Sequence, residues 1–154
     1  MRLKSVLMLG LVVLAARPSR GEPPTQVDPT TTECHKRMMA AAKRMREGAK
    51  LVISGAERVA AGDNDEGSRR MMRGNQLMVD ADQAMKVEAE HMTAAGGMMD
   101  SGKMMLESAD AMVAGGRQMM DASSRINGRT TLTAAGARLD KAQRMMTERM
   151  AMAR

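Results

Sequence analysis

The chain contains no Phe, Trp or Tyr in 154 residues. That absence excludes base-stacking nucleic-acid modules, aromatic cages and a core centred on aromatic rings. There is one cysteine, Cys34, so no disulfide framework forms within a single chain. The two histidines, His35 and His91, are too few for an all-imidazole metal centre. Proline is confined to Pro18, Pro23, Pro24 and Pro29, and the following 125 residues have none. Helices can therefore run long in that stretch without losing a backbone donor. No apolar run approaches the roughly 20 residues of a membrane-spanning helix. Nucleophile–base pairs, paired catalytic carboxylates and Gly-rich phosphate loops are not legible, and the expectation is a chain that is not an enzyme.

The N-terminus reads as a targeting segment. Arg2 and Lys4 precede an 11-residue apolar run, residues 6–16, closed by Arg17. A basic start and a short apolar run read as a secretory signal, with small residues suited to cleavage at Val13 and Ala15 or at Ser19 and Gly21, and an uncleaved membrane anchor as the alternative. The expected organisation is a signal peptide over 1–21, a Pro-rich leader over 22–30 and a helical domain over 31–154, with a periplasmic or secreted destination. This revises the charge. The chain carries 24 basic and 18 acidic residues, formally +6, but four of the basic ones and no acid lie in 1–21. Without them 20 basic residues face 18 acidic ones, net +2, and no nucleic-acid partner is implied.

Past the leader the chain is rich in Ala, Met, Arg, Glu, Lys and Gln, strong helix formers, and poor in β-branched residues. Thr30 to Glu33 fits a capping box, Gly62 to Asp65 ends one helix and starts another, and Asn127-Gly128 suits a turn before a last helix capped by Thr130 or Thr131. Large and small residues recur in heptads. Met38, Met45, Val52 and Val59 form one column beside Ala41, Gly48, Gly55 and Gly62. Met71, Met78, Met85, Met92, Met99, Leu106, Val113 and Met120 form another beside Gly67, Gly74, Ala81, Glu88, Ala95, Gly102, Ala109 and Gly116. Leu132, Leu139 and Met146 continue beside Ala135 and Ala142. Large columns against small ones let helices approach closely. The expected fold is all-α, an up-down four-helix bundle broken at Gly96-Gly97. The column's unbroken phase through that pair keeps one long central helix, 66–126, as the alternative.

Methionine is the abundant residue. After residue 21 there are 19 Met against 13 Leu, Ile and Val together. Core packing explains where they fall but not why leucine is displaced. A thioether is soft, favouring Cu(I) and Ag(I), has no proton to lose, and oxidises reversibly. Cys34-His35-Lys36-Arg37-Met38-Met39 is the sharpest constellation, with thiol, imidazole and thioether at one helix start. Cys34 also fits as a small core residue continuing the Ala41/Gly48 column, or as an intermolecular disulfide. The candidate ligands are Cys34, His35, Met38, Met39, Met45, Met71, Met78, Met85, Met92, Met99, Met105, Met112, Met119, Met146 and Met150. His91, one turn after Glu88, is expected to contact that carboxylate, or simply to be exposed, rather than to bind a metal.

In methionine density over about residues 31–154, and in its export signal, the chain resembles the methionine-rich copper- and silver-handling proteins exported by bacteria. The resemblance implies a monovalent soft-metal buffer with no enzymatic step. It departs from that group in spacing, since only Met146 and Met150 form a pair three or four residues apart, so most sites would be assembled between helices. Two other readings stand beside it: a structural or interaction protein whose Met-rich surface holds an apolar peptide, and a sacrificial reservoir against oxidants. Homo-oligomers through helix packing or Cys34 are compatible with each.

Overall fold

A computed structural model describes residues 29–95 and 98–152. The expected signal peptide, most of the expected leader and the expected break at Gly96-Gly97 lie outside the described residues. Four helices follow one another: α1 (Pro29–Ala60), α2 (Asn64–Ala94), α3 (Asp100–Met120) and α4 (Arg125–Met152). Helix α1 starts at Pro29, so Thr30 sits within its first turn and not at the expected N-cap. Proline suits that first turn because its missing N–H would have had no helical partner.

Gly62 ends α1 at φ +92°, a left-handed conformation that a β-carbon would strain. Asp63 then caps α2, its carboxylate accepting from the Glu66 N–H at 3.4 Å while Arg58 holds it at 2.8 Å. The α3–α4 turn falls earlier than expected. Residues 121–124 form it, with the Asp121 carboxylate accepting from the Ser123 N–H at 2.9 Å and the Ser124 hydroxyl donating to the Gln118 carbonyl at 2.9 Å. Asn127-Gly128 therefore lies inside α4, as do Thr130 and Thr131. The reason is packing, because Gly128 is buried against the α3 backbone.

Two antiparallel hairpins build the bundle, α1 with α2 and α3 with α4. In the first, Gly48 faces Gly74 and Gly55 faces Gly67. A β-carbon on Gly48 would lie 2.6 Å from the Gly74 carbonyl oxygen, and one on Gly67 would lie 2.7 Å from that of Gly55. In the second hairpin Gly128 meets Gly115 in the same way, at 2.7 Å from its carbonyl oxygen. Backbones touch at these points because no side chain separates them. Seven residues along, the pattern continues through the buried Ala41 and Ala81 in one hairpin and Ser108 and Ala135 in the other.

The hairpins meet across a core of long side chains. Met38, Met45 and Val52 of α1, Met71, Met78, Met85 and Met92 of α2, Met105, Met112 and Met119 of α3, and Leu132, Leu139 and Met146 of α4 are buried. The α3 column is thus Met105/Met112/Met119, one residue ahead of the expected Leu106/Val113/Met120, of which Val113 is still buried in the core, Leu106 is half-buried against it and Met120 is exposed. Helix α2 ends at Ala94 and a separate α3, starting at Asp100, packs back against it, which overturns the single helix over 66–126. Small residues on two lines of α3 explain the shift. Gly115 lies against α4, with the buried Ser101 and Ser108 on the same heptad line, while Gly116 makes room for the Met78 methyl group and Gly102 borders Met98. The methionines between those lines are the α3 side chains buried most deeply, with Ala109 and Val113 beside them. Ion pairs such as Arg46–Asp140 at 2.7 Å and Lys86 to both Asp82 and Asp110 at 2.7 Å pin the exterior, each worth at most about 1 kcal/mol. Among the described residues no helix is long and apolar enough to cross a membrane.

Candidate metal centre

Alternating helix directions bring the start of α1, the end of α2, the start of α3 and the end of α4 to one pole. The candidate soft donors concentrate there. Cys34, His35 and Met38 come from α1, Met92 from α2, Met99 and Met105 from the start of α3, and Met146 and Met150 from α4. Met39, Met99 and Met150 are half-buried at the edge of the core, whereas Met38, Met45, Met71, Met78, Met85, Met92, Met105, Met112, Met119 and Met146 are sealed within it. All of these methionines belong to one continuous cluster. An ion reaching the buried thioethers must pass between helices.

The Cys34 constellation is arranged differently from its sequence order. Cys34 lies on the small column of α1, so its thiol faces α2 and meets Glu88 and His91. Their ligand atoms, one from each residue, lie within 4.8 Å of one another. His35, one residue on, turns away by the helical step of about 100° and stays outside that group. Its Nδ1 is buried without a hydrogen-bond partner. Burial pushes the His35 imidazole below its ordinary range, holding it neutral.

Glu88 is the unusual member. A carboxylate rarely sits inside without a partner, and this one is 8 % exposed. Arg37 Nη1 lies 3.5 Å from Oε1, and His91 Nδ1 lies 3.6 Å from Oε2. Oε2 is itself closed to solvent and accepts no hydrogen bond. The expected Glu88–His91 contact is therefore present, but with Cys34 as its third member. Burial raises the Cys34 thiol above its ordinary value; the adjacent Glu88 adds to this, and Arg37 partly opposes it. At 4 % exposure the thiol is also screened from a second chain, so an intermolecular disulfide needs this end of the hairpin to open.

Sequence reasoning did not join Cys34 to Glu88, although the signal was there. Each stands in a small-residue column, and antiparallel pairing of Gly48 with Gly74 carries Cys34 onto Glu88 two heptads away. No protein-family model, curated protein or solved structure matches this chain.

Proposed function

We propose that this chain is an exported, non-enzymatic helical bundle that sequesters or buffers Cu(I) or Ag(I) through methionine thioethers. One observation supports the reading above the others: ten fully or nearly fully buried methionines from all four helices share one core, where leucine would pack as well. A thioether core differs from a leucine core chiefly in offering soft, proton-free donors. The periplasmic or secreted location follows from the N-terminal segment and belongs to the same proposal.

The test is Cu(I) competition against a chromophoric chelator, with the parent set against a variant carrying Met71→Leu, Met78→Leu, Met85→Leu and Met92→Leu. Leucine has similar volume and helix propensity, so helicity should persist while Cu(I) capacity falls. Unchanged capacity in that variant overturns the thioether reading. A rival is favoured by a recess of about 350 Å³ between α1 and α4, lined by Lys36, Met39, Thr147, Met150 and Ala151. It suits an apolar peptide partner, and a parent that binds an amphipathic peptide but no Cu(I) supports that rival.

A further inference from the structure

We propose that Cys34, Glu88 and His91 form a site for a divalent borderline cation, of which Zn(II) is the natural probe, separate from the thioether core. Four observations carry it. The donor set is thiol, carboxylate and imidazole, the mixture that zinc accepts and that a purely soft ion does not need. The three ligand atoms already converge within 4.8 Å. Metal bonds of about 2.0–2.3 Å place ligand atoms about 3.3–3.8 Å apart, so closure needs side-chain movements of about 1 Å. His91 can supply much of this, because its side chain is 56 % exposed and only loosely held by Glu88 at 3.6 Å. That exposure also gives the ion an access route from solvent and leaves a coordination position facing water.

The third observation is Glu88 Oε2, sealed from solvent and accepting no hydrogen bond of good geometry, with His91 Nδ1 standing off at 3.6 Å and the Cys34 thiol beside the carboxylate. Leaving a buried carboxylate oxygen so weakly partnered costs free energy that a coordinated cation would recover. The fourth is charge. A thiolate and a carboxylate bring two negative charges, which a divalent ion neutralises and Cu(I) does not. Arg37 completes the arrangement from outside, holding Oε1 at 3.5 Å and so fixing which oxygen faces the ion. On binding, the Cys34 S–H proton leaves to solvent and the sulfur lone pair forms the metal bond; no electron is transferred.

The site does not depend on the copper reading, and its test separates the two. Co(II) is titrated into the reduced full chain and then displaced with Zn(II), following absorbance. The expected result is one Co(II) per chain with a thiolate-to-metal charge-transfer band that Zn(II) abolishes. Cys34→Ser should remove the band. Glu88→Gln and His91→Ala should each weaken Zn(II) binding by about tenfold or more, with helicity by circular dichroism unchanged. Glu90→Gln, an exposed carboxylate nearby, should behave as the parent, and so should the four-leucine variant of α2. Co(II) bound without the band, parental Zn(II) affinity in Glu88→Gln, or no binding beyond that of exposed acids would each overturn the site. Should Glu88→Gln lose helicity, the Cys34→Ser result decides alone, since a serine hydroxyl keeps the shape and removes only the thiolate.

Discussion

Replacing Gly74 with alanine should destabilise the protein, although the same replacement at Gly136 should stabilise it. Both glycines are helical, so intrinsic propensity favours alanine at each by about 0.8–1.0 kcal/mol. At Gly136 nothing lies within 4 Å of the added β-carbon, and the propensity gain is kept. At Gly74 the β-carbon would stand 2.5 Å from the Gly48 carbonyl oxygen, 2.8 Å from the Val52 nitrogen and 2.9 Å from the Leu51 β-carbon. Two of those atoms are backbone and cannot rotate aside, so α1 and α2 must separate. Overpacking of this kind costs about 1–3 kcal/mol, and the rigid contacts put Gly74 in the upper half of that range. After the propensity gain the net loss is about 1–2 kcal/mol. For a chain of this size Tm should fall by about 3–8 °C in Gly74→Ala and rise by about 2–4 °C in Gly136→Ala. Thermal and urea unfolding followed by circular dichroism read both. The double variant Gly48→Ala/Gly74→Ala should lose less than the sum of the singles, because one separation of the helices accommodates both methyl groups. A Gly74→Ala protein stabilised like Gly136→Ala would refute the close backbone approach on which the hairpin rests.

Spin labels at positions 72 and 120 in a Cys34→Ser background should lie within roughly 30 Å, as neighbouring antiparallel helices require; a distance near 70 Å, from about 1.5 Å per residue, would mean a continuous helix. Stability should fall on mild acidification because burial lowers the His35 pKa. The unfolded chain takes up its proton first, near pH 6.5, so the contribution is present above that pH and is lost as pH falls toward the lower folded value. Urea midpoints measured against pH should flatten in His35→Gln across that window, and an unchanged profile would count against a buried neutral imidazole. Cys34 should react slowly with a thiol reagent in the native chain and rapidly in denaturant, since the folded thiol is both buried and shifted toward its protonated form. Equal rates in the two conditions would place it at the surface.

The four-helix count, the heptad columns of α1, α2 and α4 and the Gly62–Asp63 boundary were legible because each rests on local chemistry: a capping carboxylate, a left-handed glycine, a repeat of seven. Helix α3 was misread for a physical reason. Its sequence has methionines at both 98/99 and 104/105 and again at 119/120, so two columns one residue apart each look apolar. Only the partner decides between them, and the partner is α4, whose Gly128 needs Gly115 opposite it. Asn127-Gly128 failed likewise, as its glycine serves a tertiary contact while Asp121, Ser123 and Ser124 make the turn.

The same lesson reaches the candidate metal centre. Read along the chain, Cys34 belongs with His35, Met38 and Met39, its neighbours on one helix. Read across the hairpin, it belongs with Glu88 and His91, because small residues in both helices bring two backbones into contact and force whatever shares those columns to meet. Glu88 is the one charged residue in a column otherwise of Gly and Ala, opposite the one thiol in the chain. Glycine packing at Gly48–Gly74 and Gly55–Gly67 thereby controls the distance between Cys34 and Glu88. Pushing α1 and α2 apart at Gly74 should therefore loosen the Cys34–Glu88–His91 group as well as the fold. Zn(II) affinity in Gly74→Ala, measured below its Tm where the chain remains helical, should drop while Gly136→Ala keeps the parental value. Parental Zn(II) affinity in a folded Gly74→Ala protein would mean that the glycine contacts set stability alone and that the three donors hold their spacing by other means.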